Sequence, residues 1–280
     1  MNSRKTINSI FKNAVRLSFI FCAGILVFLF GTIIWKGSAA ISLDFLTKPT
    51  ENFGAAGGIV HQITGSLLMI LTTAIISFPI ALGTAIYRSE YLKNPRSQNM
   101  ADTLIFSLNG IPSIIFGIFG LIFFVNILGT GVSWFVGSII LAMMILPTLV
   151  LSAYQSVNSV PSIYRESALA LGMTKWKVIS TVLLPKGING AITGLLIGIA
   201  RAIGETAPIM FIATAFSGVQ FPTTLLQPVS ALPTHILSLA QQATNPAALQ
   251  NAWGTSMVLV ILVVLFSTSG LLVRLRFQKK

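Results

Sequence analysis

The sequence predicts an all-α membrane protein with six transmembrane helices. Three observations carry this. Of 280 residues, 54% are hydrophobic and 9% are charged, whereas an average soluble domain carries about 25% charged residues. Six apolar runs of about 20 residues recur along the chain, the length a helix needs to cross the hydrocarbon core. The 18 lysines and arginines fall almost wholly on one side of those runs.

The runs cover roughly residues 17–35, 63–86, 104–128, 134–154, 188–216 and 253–273. The first is too long for a removable signal peptide, and no small-residue cleavage site follows it, so it reads as a retained helix. Its cysteine, Cys22, stands alone in the chain, makes no intrachain disulfide and reads as a small apolar residue. Pro79, Pro112, Pro147 and Pro208 interrupt the later runs. Such breaks are tolerated where neighbouring helices or water satisfy the freed backbone groups. The 217–252 stretch contains four prolines and no charge, and its LPTHILSLAQQA portion predicts a short helix at the outer surface. His61 and His235 read as loop residues, and two scattered histidines do not make a metal site.

Charge sets the orientation. Arg4, Lys5, Lys12 and Arg16 precede the first run, and Arg88, Lys93 and Arg96 follow the second. Arg165, Lys175, Lys177 and Lys186 follow the fourth, and Arg274, Arg276, Lys279 and Lys280 end the chain. Only Lys36 and Lys48 fall on the other side, and Arg201 lies within a run. The positive-inside rule then places both termini and the 155–187 loop in the cytoplasm. The same distribution argues against a nucleic-acid partner.

The chain carries no engine. It lacks the G-x-x-x-x-G-K-[ST] loop that cradles ATP phosphates, the G-x-S-x-G elbow and the H-E-x-x-H pair. Asp44 and Asp102, its two aspartates, fall at or beyond the ends of runs. No catalytic residue is expected, and any uphill transport draws its energy from a partner.

The 155–187 loop contains YRESALALGMTKWKVISTVLLPKG. Ser162 is placed to cap a helix running to about Leu171, with Gly172 ending it. Thr174 can cap a second helix carrying Trp176, Ile179 and Leu183 on one side, and Pro185 stops it before the fifth run. Two short helices around a glycine turn suit a groove on another protein. They equally suit a membrane surface, with the lysines at lipid headgroups.

This loop resembles the E-A-A loop of ATP-binding-cassette (ABC) importer permeases, a pattern of E-A-A, three residues, G, nine residues and I-x-L-P. Glu166, Ala168, Gly172, Leu184 and Pro185 match, while Ser167 and Val182 replace an alanine and an isoleucine. The resemblance implies a type-1 ABC importer permease fold over residues 63–273. Residues 1–62 would be the N-terminal tail, first helix and outer loop, and residues 274–280 a basic cytoplasmic tail. It also implies that Glu166, Ser167, Ala168 and Gly172 form a coupling helix docking on a cytoplasmic ATPase. ATP would then sit on that partner, and this chain would bind no cofactor.

Two further stretches, NGIPSIIFGIFGL at 109–121 and ARAIGETAP at 200–208, resemble the A-type permeases of phosphate-specific importers. That implies a related C-type permease, two copies of the ATP-binding subunit and an extracytoplasmic phosphate-binding protein as partners. It also implies a multi-pass location in a prokaryotic inner membrane, surrounded by lipid. A permease for sulfate or molybdate, or a non-transporting anchor for an ATPase, would share parts of the pattern.

Arg201 and Glu205 are the only charges between residues 188 and 216. On a continuous helix of about 100° per residue, with Gly190 at the origin, they fall near roughly 20° and 60°. Gly190, Gly194 and Gly198 share that face. Ile192, Leu195, Leu196, Ile199 and Ile203 form an aliphatic back expected to meet lipid. An arginine at the centre of a membrane helix costs about 2.5–3.5 kcal/mol. Either the pair is a site on an anion path, where a guanidinium fork matches phosphate oxygens, or it is an internal staple that fixes helix packing.

Overall fold

The computed structural model describes residues 2–215, 221–242 and 244–278. Helix α1, Asn2–Ser38, opens the chain with 37 residues. It reaches about 55 Å, well beyond the apolar run at its middle. From Phe11 to Lys36 it stands mostly exposed. Helix α2, Leu43–Thr47, is capped by the Ser42 side chain. There the Asp44 carboxylate hydrogen-bonds Lys48 at 2.6 Å and raises the ammonium pKa above its usual value. A small hairpin follows, β1, Thr50–Glu51, against β2, Ala56–Gly57.

Helix α3, Val60–Glu90, runs unbroken through Pro79. Next come α4, Pro95–Asn109, and α5, Ser113–Gly120, which continues into a π-helical stretch, Leu121–Ile127. Helix α6, Trp134–Asn158, contains Pro147. After it come α7, Ser162–Ala170, and α8, Lys175–Val178, then a π-helical turn, Ile179–Leu183, and α9, Leu184–Ala202. Helix α10, Ala207–Ile212, precedes α11, Leu232–Gln241, which is the short helix that LPTHILSLAQQA predicts. Helix α12, Pro246–Gln278, ends the described chain and packs on α1 where Gly37 meets Trp253 and Met257.

Helix α6 is the axle. Ile140, Ile145, Leu149, Ala153 and Val157, spaced four or five residues apart, are fully enclosed. Helices α3 and α9 both pack along it, and against each other. Small residues set the distance between α6 and α9. Gly190 and Gly194 back onto Ser156 and Ser152 of α6, and Ser152 Oγ donates to the Gly190 carbonyl at 3.1 Å. A side chain at either glycine would push the helices apart, so the small-residue face packs as the sequence predicts. Towards its C-terminal end the aliphatic back packs on protein rather than lipid. Ile199 and Ile203 are buried with Ile70 of α3 and flanked by Leu259, Leu262 and Phe266 of α12, because α9 sits inside the bundle between α6 and α12.

The helix ends define two faces. Arg165 of α7 and Lys175 of α8 both reach Glu90 at the end of α3, which marks a basic end. At the far end the Ser133 N–H donates to the Ile212 carbonyl at 2.8 Å, and Trp134 N–H to Gln227 at 2.9 Å. The start of α12 also lies there, since Asn251 donates to the Gly54 carbonyl at 2.8 Å. The start of α1 and the end of α12 therefore lie towards the basic end.

Two spans expected as continuous helices are interrupted. The third is split at 110–112, and its halves bend by 90°. Pro112 has no N–H to donate and disfavours helix in the residue before it. The first half starts at the basic end and α6 starts at the far end, so the pair crosses rather than returns. The fifth span stops at Ala202, leaves residues 203–206 outside any helix and resumes as α10. The end of that run, Phe216, lies outside the described residues. Pro185 does not stop the helix before it. It sits in the first turn of α9, where a missing N–H costs nothing, and the chain bends there by 60°. With the helix pairs bent at 110–112 and at 184–186 each counted as one span, the helices can cross a membrane up to six times.

Candidate functional site

The two interruptions come together. Gly117 of α5 packs against Ala207 and Pro208 at the start of α10. Ile111, in the first break, and Ala202, at the edge of the second, join one apolar cluster with Phe116, Ile145 and Ile209. Asn109, the last residue of α4, accepts a hydrogen bond from Thr148 Oγ1 of α6 at 3.1 Å. Non-helical backbone at membrane depth survives only inside protein or along a water-filled path. Interrupted helices are also how transporter folds build solute sites.

Arg201 and Glu205 straddle the second break. Arg201 Nε lies 3.5 Å from Glu205 Oε1, with side chains 46% and 17% exposed. The sequence expectation put both on one continuous helix. Instead Glu205 sits in the non-helical segment, with its N–H donating to Ala202 at 3.2 Å. Arg201 occupies the last turn of α9, where a cation faces the negative end of the helix dipole. It lies on the open flank of the glycine face, beside exposed Ile197 and Gly204. The pair brackets the interruption and leaves the guanidinium partly free.

The two-helix loop closes as its residues dictate. Gly172 has φ +78, in the left-handed region. Its N–H donates to Leu169 at 2.9 Å and that of Met173 to Ala168 at 3.1 Å, the paired bonds of a Schellman motif. Thr174 caps α8 by accepting from Lys177 N–H at 3.4 Å. Pro161, not Ser162, holds the N-cap position of α7. Ala168 is buried, while Glu166, Ser167 and Gly172 are exposed. Ile179 and Leu183 turn inward, but Trp176 is 71% exposed and does not share their face. Ile163, Leu169 and Leu171 are exposed as well.

Sequence reasoning missed what holds this loop. Arg165 Nε lies 3.3 Å from Glu90 Oε1, with side chains 22% and 13% exposed. The same guanidinium donates to the Val157 carbonyl of α6 at 3.1 Å. Lys175 Nζ donates to the Glu90 carbonyl at 2.6 Å and lies 3.8 Å over the Tyr91 ring. Arg88 pairs with Asp102 of α4 and stacks at 3.7 Å on Tyr154 of α6. The available signal was scarcity. The chain has six acidic residues, and Glu90 and Asp102 both flank apolar runs.

The histidines are not loop residues. His61 lies in the first turn of α3, and His235 is buried in α11. Burial lowers the His235 pKa from 6.5 to about 4. Among the described residues no group of three or more His, Cys, Asp or Glu is placed to hold a metal ion.

Residues 78–280 match the family described as the binding-protein-dependent transport system inner membrane component. The chain belongs to this family. The match includes both interrupted spans and the two-helix loop. A probable ABC transporter permease of Bacillus subtilis is 34% identical, over 89% of this chain and 88% of that one. The phosphate transport system permease PstA of Xylella fastidiosa is 32% identical, over 88% and 84%. PstA of Haemophilus influenzae is 30% identical, over 99% and 96%. In fold, this inner-membrane component resembles a chain of the inward-facing MetNI methionine ABC transporter. Their TM-score is 0.62 at 18% identity, over 78% of this chain and 95% of that one. It also resembles a chain of a bacterial importer of the polysaccharide alginate, with TM-score 0.59 at 14% identity, over 95% and 98%. The architecture is that of a type-1 ABC importer permease.

Proposed function

We propose that this chain is the A-type membrane subunit of an ATP-driven phosphate importer. The observation that carries the reading is the Arg201–Glu205 pair at the meeting of two interrupted spans, in a chain whose relatives include phosphate permeases. Arg201 has a partly free guanidinium there, and its fork of donors matches a pair of phosphate oxygens. Glu205 holds it between passages and exchanges with the anion as it moves. Solute arrives from a phosphate-binding protein at the far face, which is extracytoplasmic, and leaves at the basic face, which is cytoplasmic. A related C-type permease completes the path.

The α7–α8 loop is the docking element for a cytoplasmic ATPase, present in two copies, which holds the ATP. Exposed apolar side chains beside the free carboxylate of Glu166 suit a protein groove. Cells lacking the chain, and cells with it restored, are compared for uptake of labelled phosphate, sulfate and molybdate. Restored phosphate uptake alone supports the proposal. Restored sulfate or molybdate uptake reassigns the anion, and no restored uptake reduces the chain to an anchor.

A further inference from the structure

We infer that Glu90 is the positioning residue that makes the first interrupted span move with the second when the α7–α8 loop is displaced. This rests on the proposed importer role, in which that loop receives motion from the ATPase. Two routes lead from the loop to the junction. One is covalent, since α8 continues through its π-helical turn into α9 and so to the break at 203–206. The other is not covalent. It runs through the end of α3, where Arg165 and Lys175 meet Glu90 with Ser89 and Tyr91 beside it, and where Ile86 packs against the cluster of Ile179 and Leu183. Within it the Glu90 carboxylate is the charged contact to α7.

Both loop helices grip that residue by different atoms. Arg165 of α7 takes the carboxylate and Lys175 of α8 the backbone carbonyl. The carboxylate contact is mostly shielded from solvent, so it is screened less than a surface pair. Only residues 91–94 separate α3 from α4, and Arg88, two residues before Glu90, is bound to Asp102 of α4. A push on α7 therefore reaches α4 and the break at 110–112. Without the Glu90 carboxylate the loop still drives α9, but α7 loses its ion pair to α3, and α4 and α5 follow less closely through the Lys175 and Ile86 contacts that remain. Gly117 and Pro208 would then shear past each other instead of separating.

The test uses the full complex in proteoliposomes, with its ATPase and binding protein, and measures phosphate imported per ATP hydrolysed. Glu90→Gln should lower this ratio roughly fivefold, the scale of coupling between contacting residues, while assembled complex stays near wild-type amounts. The exchange Glu90→Arg with Arg165→Glu should recover much of the ratio. A second readout needs no substrate. Spin labels are placed at Lys93→Cys and Ile163→Cys in a Cys22→Ser background. In the wild type their separation should stay constant on ATP binding, and with Glu90→Gln it should change. A wild-type ratio in Glu90→Gln, or less complex with an unchanged ratio, would overturn the inference, as would labels that part in the wild type. If the wild type moves no phosphate, the importer reading fails, while the label separation still decides the role of Glu90.

Discussion

Two ion pairs in this protein have similar lengths and opposite designs. Arg201–Glu205 is local, four residues apart across a helix break, with the arginine 46% exposed. Arg165–Glu90 joins distant parts of the chain, with both side chains less than a quarter exposed. Its guanidinium is held further by the Val157 carbonyl. The first pair can open at low cost, because its arginine already meets water or a path. The second cannot open without stranding a carboxylate in a shielded site. An arginine–glutamate pair is thus no fixed device, and its role follows from what surrounds it.

The sharpest break in that comparison comes from Arg201. Arg201→Ala should lower phosphate uptake about a hundredfold, the equivalent of roughly 3 kcal/mol for a forked, charge-assisted contact. Amounts of assembled complex should hold. Arg201→Lys keeps the charge without the fork and should retain only part of the uptake. The closed pair should behave in reverse. Arg165→Ala strands the Glu90 carboxylate and should cost about 2 kcal/mol, less than a fully buried pair would. A lower melting temperature in detergent measures it, and adding Glu90→Gln should recover part of the loss.

A pH scan adds a third environment. His235 titrates near 6.5 when unfolded and near 4 when folded. Between those values the unfolded chain holds more protons. Stability is therefore complete above pH 6.5 and falls as pH drops towards 4, by about 2 kcal/mol at pH 5. His235→Gln should flatten that slope in detergent melts. The smallest expected effect is beside the closed pair. A Cβ at Gly172 meets no atom within 4 Å, so Gly172→Val costs only the left-handed conformation, about 1–2 kcal/mol. Gly172→Asn should cost less, and the ATPase copurifying with each variant reports the damage.

The membrane class, the short helix before α12 and the glycine turn at 172 were legible because each depends on local rules: apolar length, periodicity and a left-handed cap. The interruptions were half legible. Gly110 and Pro112, and Gly204 and Pro208, mark places where a helix stops easily, but hydropathy runs through both without a change. Placing Glu205 on a helix followed from that continuity. The grip of Arg165 and Lys175 on Glu90 joins residues more than seventy positions apart, and no spacing rule reaches that far. The burial of Ile199 and Ile203 was hidden for a related reason, since an aliphatic face reads the same against lipid as against another helix.

The central claim is that Arg201 and Glu205 serve the passing anion rather than the packing of the bundle. Replacing both, Arg201→Met with Glu205→Met, removes the charges together and strands neither, so a staple would be dispensable. Uptake of labelled phosphate and the amount of assembled complex are measured on the same membranes. The account predicts a complex at wild-type levels that carries no phosphate. Uptake restored to wild-type levels in the double variant would contradict it.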